Sequence, residues 1–99
     1  MISRIVLMKL NDKADASVLA EMQRYVSRIS DELTETRGYH LAPNDAAEEG
    51  GYNWVLQGLF DDEADMNAYR AAPLHREFVG YCDAYTEDFL IAYYALPAG

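Results

Sequence analysis

Two runs of this chain, "WVLQGLF" (54–60) and "FLIAYYAL" (89–96), are apolar at almost every position rather than at every second one. That pattern constrains the fold more than anything else in the sequence. A strand in an antiparallel sheet with one side in water alternates apolar and polar residues, because successive side chains point to opposite faces. A strand apolar on both sides must be covered on both. How many layers the chain can supply depends on its other elements.

Residues 2–10, "ISRIVLMKL", are β-branched and aliphatic and read as a first strand. Alternation puts Arg4, Val6, Met8 and Leu10 on one side, Ile5, Leu7 and Lys9 on the other. "NDKAD" breaks the pattern and offers Asp15 as an N-cap. Leu19, Met22, Val26, Ile29 and Leu33 then recur at helical spacing, with Arg24, Arg28, Asp31 and Glu32 outside the stripe. Gly38 is the expected residue just past this helix. "YHLA" (39–42) is a short strand closed by Pro43, "NDAAEEGG" is a loop, and "YNWVLQGLF" (52–60) is a strong strand.

"DDEADMNAYRAA" opens with capping acids, Asp62 having Asp65 three residues on, and reads as a short helix. Pro73 stops it and suits the first position of the next helix. There Leu74, Phe78, Tyr81, Cys82 and Tyr85 form the expected stripe. The last strand is 89–96, and "PAG" is a frayed end. The order β-α-β-β-α-β predicts one α+β domain over residues 1–99, a ferredoxin-like, four-stranded antiparallel sheet. Right-handed crossovers lay the helices on one face of it. The other face then needs cover from a second copy. The expectation is a two-fold homodimer with sheets face to face, burying at least about 1,600 Å².

The chain has 99 residues and a net charge of −9. Such a charge argues against nucleic acid and against anionic lipid surfaces as partners, since both need basic patches. Cys82 is the one cysteine, which predicts no disulfide and no thiolate metal site. Neither a signal-type start nor a run of the roughly 20 apolar residues that would span a bilayer is visible, so a cytoplasmic location is expected. His40 and His75 have no ligand spacing, and no phosphate loop or nucleophile elbow occurs. No cofactor or metal is therefore expected.

"IVLMKLND" near the start, "GYNWVLQGLF" in the middle and "YRAAPLHREFV" before the last strand resemble the stress-responsive dimeric α/β-barrel (Dabb) family. The most specific element is Tyr69 followed by Pro73-Leu74-His75-Arg76-Glu77-Phe78. The resemblance runs over nearly the whole chain and implies a dimeric ferredoxin-like barrel. Most members have no assigned reaction. One relative, a plant polyketide cyclase, works without a cofactor through the histidine of this motif, a nearby tyrosine and a first-strand histidine. Carried over by motif, the first two correspond to His75 and Tyr69. The first-strand position is Arg4 here, a departure from that cyclase.

On the expected orientation, Val6, Met8, Trp54, Leu56, Tyr69, His75 and Phe78 line a pocket between sheet and helices, suited to a small apolar or aromatic ligand. His75 would sit near the start of its helix, where the dipole favours a neutral imidazole able to act as a base. Tyr69 could donate a proton or hold an enolate oxygen. Arg4 could hold an anion, although a pair with Asp88 or Glu87 is the simpler expectation for it. Histidines placed like His75 also serve as plain packing and backbone caps. Tyr93 and Tyr94 point to opposite faces, and both are expected to pack, one against the helices and one against the partner copy. Asn53 with Trp54 is similar to the polar–aromatic sets of related cofactor-free monooxygenases. Three readings follow: a ligand-binding dimer, a cofactor-free cyclase-like enzyme with His75 as base, and a cofactor-free monooxygenase.

Overall fold

The computed structural model describes residues 1–97; of the "PAG" end, Ala98 and Gly99 lie outside the described residues. The element order is β1 (Ile2–Leu10), α1 (Ala16–Glu32), β2 (Arg37–Pro43), β3 (Trp54–Phe60), α2 (Glu63–Ala71), α3 (Pro73–Asp83) and β4 (Thr86–Ala95). The sheet is antiparallel in the order β2-β3-β1-β4. β1 lies in the middle, pairing Met8 with Trp54 on one side and with Phe89 on the other. This is the ferredoxin-like α+β arrangement that the element order predicts. No described helix is long and apolar enough to cross a membrane.

Local chemistry sets the element ends. The Asp15 carboxylate accepts from Val18 N at 3.0 Å and opens α1. Helix α1 ends earlier than its glycine suggested. Thr36 closes a turn on the Leu33 carbonyl through both its backbone N–H and its hydroxyl. Gly38 is therefore not the residue after the helix. It sits inside β2 with φ 56°, at an irregularity in the pairing between Arg37 and His40. Glycine meets that left-handed backbone without strain. Pro43 is tolerated because β2 is an edge strand. At the other end of the chain, α3 stops at Asp83 and β4 starts at Thr86, whose hydroxyl donates to the Cys82 carbonyl at 2.8 Å. Tyr85, assigned to the helical stripe by spacing, lies beyond the helix.

The helices cover one face, as the crossovers require. Met22 and Ile29 of α1 are fully buried against the sheet, with Val18 and Val26 beside them. Tyr25 stacks on Phe78 at 5.4 Å between ring centroids, tying α1 to α3. Within α3, His75, Phe78 and Cys82 are the buried positions, so the inward stripe is rotated from the one expected; Leu74 and Tyr81 are only partly buried. The cover is uneven. The helices leave β4 open on both faces: Phe89 is 53% exposed on the helix side and Leu90 52% on the outer side. Tyr93 and Tyr94, expected to pack on opposite faces, are both about half exposed.

Candidate functional site

The uncovered margin of the sheet is where a cavity forms. It has a volume of about 590 Å³ and lies between β1, β3 and β4 on one side and α2 and α3 on the other. Its sheet wall is Arg4, Val6, Met8, Leu56, Phe89 and Ile91. Its helix wall comprises Asn67, Arg70 and Ala71 from α2, with His75, Arg76, Phe78, Val79, Cys82 and Asp83 from α3; Thr86 completes it. That volume falls within the range of roughly 300–1,000 Å³ typical of small-molecule sites.

The break between α2 and α3 positions the histidine. A residue before proline is pushed to extended backbone, and Ala72 adopts ψ 136° there. The chain turns, Pro73 starts α3, and His75 points inward from its first turn. His75 Nδ1 lies 3.2 Å from the Arg70 carbonyl, one of the carbonyls that the end of α2 leaves free. A carbonyl only accepts, so Nδ1 carries the proton and Nε2 keeps its lone pair. Nε2 has no hydrogen-bond partner among the described residues. Burial, with the charges of Arg4 and Arg70 adding to it, holds the imidazole pKa below its ordinary value of 6.5, although the bond to Arg70 pulls the other way. His75 is thus both a cap on α2 and a neutral base facing a cavity.

Arg4 is 8% exposed and lines the same cavity. Its guanidinium carbon stands 5.8 Å from the Tyr69 ring centroid, within cation–π range. Its Nε is buried without a hydrogen-bond partner. The simpler expectation for Arg4 fails, because both acids are taken. Glu87 pairs with Lys9, and Asp88 accepts from the Tyr52 hydroxyl at 2.7 Å. Asp88 stands beside β1 residue Lys9, well down the strand from Arg4.

Tyr69 is fully buried and is not on the cavity wall. Its ring packs 4.2 Å from that of His75, but its hydroxyl shares a 2.7 Å hydrogen bond with Tyr39. Burial raises both hydroxyls above the ordinary tyrosine range. The close approach of Tyr39 needs Gly58, where an added Cβ would come within 2.9 Å of the Tyr39 ring. Tyr69 therefore supports His75 and Arg4 from behind, with its hydroxyl bonded to Tyr39 and set back from the cavity wall.

Val6, Met8, Leu56 and Phe78 lie where the sequence put them, on the cavity wall. Trp54 does not: it is partly buried on the same sheet face but off the wall. Asn53 accepts from Leu10 N at 3.0 Å and caps the end of the β1–β3 pairing. Sequence reasoning missed Arg70, Arg76, Cys82, Phe89 and Ile91. For Cys82 a signal existed, since it falls seven residues after His75 and shares its stripe. For Phe89 and Ile91 the signal was their alternation on β4, read as a need for cover rather than as a wall.

A β-α-β-β-α-α-β sheet-and-helix sandwich with a ligand-sized cavity under its last helix pair defines a ferredoxin-like protein of the α/β-barrel class. The profile described as Stress responsive A/B Barrel Domain matches residues 2–95, and the chain belongs to that family. Among solved structures, a protein of Arabidopsis thaliana is similar with a TM-score of 0.86 at 16% identity, over 100% of this chain and 98% of that one. The hydroxynitrile lyase of Passiflora edulis gives 0.85 at 13% identity, over 99% of this chain and 94% of its own. A dimeric ferredoxin-like protein of unknown function from Thermobifida fusca gives 0.83 at 21% identity, over 96% and 90%. At such identities the likeness carries the fold alone. No curated protein matches the chain in sequence.

Proposed function

We propose that this protein is a homodimer that binds a small, mainly apolar or aromatic molecule in the cavity between the sheet and α2–α3. The observation that carries the reading is the cavity itself, walled by Val6, Met8, Leu56, Phe78, Phe89 and Ile91, with the His75 imidazole in its helix wall. Self-association is supported by the bare apolar surface of β4 and by the dimeric state of the Thermobifida fusca relative. A cytoplasmic setting suits Cys82, a lone thiol whose pKa burial pushes up to about 12.

A second reading is favoured by one specific observation. With Nδ1 committed to Arg70, His75 offers Nε2 as a general base in the cavity wall. The protein would then be a cofactor-free enzyme that moves a proton or closes a ring, with Arg4 holding the developing anion and Tyr69 positioning both. For the monooxygenase reading nothing comparable speaks, since Asn53 is occupied by Leu10 and Trp54 stands off the wall.

Thermal stabilisation of wild type and His75→Ala by a panel of small aromatic and polyketide-like compounds tests the proposal. A wild-type shift of several degrees that disappears in the variant is the expected result and calls for turnover assays. No shift with any compound, the variant simply melting earlier, would leave His75 as a helix cap and sink the binding reading.

A further inference from the structure

The cavity is cationic in a chain that is not. Of 8 Lys and Arg residues against 17 Asp and Glu, Lys9, Arg24, Arg28 and Arg37 each pair with a carboxylate. Lys13 lies on an exposed turn. The remaining three, Arg4, Arg70 and Arg76, have no carboxylate partner among the described residues, and all three line the cavity. Arg70 and Arg76 are exposed at its rim, whereas Arg4 is buried in its sheet wall.

An arginine stays protonated, so Arg4 is a buried charge. Such a charge is costly without a partner. With twice as many acids as bases available, the fold still leaves Arg4 without one and leaves its Nε without any acceptor. One carboxylate, Asp83, does line the cavity. It lies eight residues beyond His75 on α3, about 12 Å along the helix axis and toward the opposite end. The cavity thus has a cationic end, where Arg4 and His75 both contact Tyr69. Away from it run Val6, Met8, Phe78 and Phe89.

We infer that the ligand is an amphiphilic carboxylate, its head held by the Arg4 guanidinium and its apolar body lying along Met8, Phe78 and Phe89. The inference rests on the binding reading above and adds the charge and orientation of the ligand. A guanidinium fork matches one carboxylate in both charge and shape. Arg70 and Arg76 at the rim draw anions toward a molecule that otherwise repels them. The neutral His75 Nε2 beside the head accepts a hydrogen bond from a hydroxyl or an enol on the same ligand. Arg4 is in this account the residue that decides ligand charge.

Calorimetric binding of octanoate and para-butylbenzoate, each compared with its primary amide, separates charge from shape. Wild type is expected to bind the carboxylates roughly ten- to hundredfold more tightly, the span given by hydrogen bonds to a charged group. Arg4→Met, which keeps the length and removes the buried charge, is expected to weaken the carboxylates far more than the amides, so that the two classes bind the variant about equally. Amides that bind wild type as well as the carboxylates do would overturn the anion inference and leave the binding reading standing. Carboxylate preference retained in Arg4→Met would overturn the role of Arg4. Absence of binding by either class would overturn both readings. Should Arg4→Met fail to fold, the wild-type comparison of acid and amide decides the ligand's charge by itself.

Discussion

The two nitrogens of His75 stand in different surroundings. Nδ1–H bonds the Arg70 carbonyl at the end of α2, and the ring lines the cavity with Nε2 without a hydrogen-bond partner among the described residues. The packing reading and the working reading of this histidine, both open in the sequence, are compatible, because the bond to Arg70 sets the tautomer in which Nε2 keeps its lone pair. The same burial makes a prediction about stability. The pKa of His75 is lowered in the folded state from its ordinary 6.5. Below that pH the unfolded chain takes up a proton that the native state refuses, so stability is complete above about pH 6.5 and falls as pH drops toward the folded pKa. Urea denaturation between pH 8 and pH 5 should show this loss in wild type and a flatter profile in His75→Gln. Equal slopes in the two proteins would contradict the assignment. The neighbour at this scale that sequence could not place is Arg4. Its spacing put it on the correct strand face, but whether an acid meets it depends on the β1–β4 register, which sets Asp88 against Lys9 instead.

Among the elements, β3 shows how a single missing side chain organises a site. Gly58 lies opposite Arg4 in the β1–β3 pairing. Having no side chain, it lets the Tyr39 ring cross the strand and reach Tyr69, which in turn lies against His75 and under Arg4. Gly58→Ala pushes a methyl group into the Tyr39 ring and should cost about 1–3 kcal/mol, the usual penalty for overpacking a full core. Chemical denaturation measures it, and the ligand response of the folded variant should weaken with it. Unchanged stability would mean that Tyr39 yields freely and the support is loose. The element boundaries were legible wherever a side chain acts on its own neighbourhood. Asp15 and Asp62 cap the helices that follow them, and Pro73 opens α3. Gly38 misled because left-handed glycines serve β-bulges as readily as helix ends.

At the level of the whole molecule, charge and apolar surface are distributed unevenly. The surface acids neutralise four of the basic residues and leave three around one cavity. The helices lie over β1, β2 and β3 and leave β4 bare on both faces. One side of that strand belongs to the proposed dimer and the other to the cavity, which separates the two roles by alternate residues. Leu90→Asp, on the outer face, should dissociate the dimer in sedimentation experiments while the folded chain keeps its cavity. Ile91→Asp, one residue on and facing the cavity, should keep the dimer and lose the ligand response. A monomeric wild type would refute the face-to-face assembly outright.

The order of elements, the helix caps and the need to cover both sides of the last strand are all written in spacing along the chain. Neighbouring residues suffice to impose them, since a strand alternates every second residue and a helix every three to four. The cavity, the lone charge of Arg4 and the bond that occupies Tyr69 arise between residues tens of positions apart. They follow from strand register and from how far the helices reach across the sheet. No local pattern contains that information, because it is decided by which side chains find one another when the layers close.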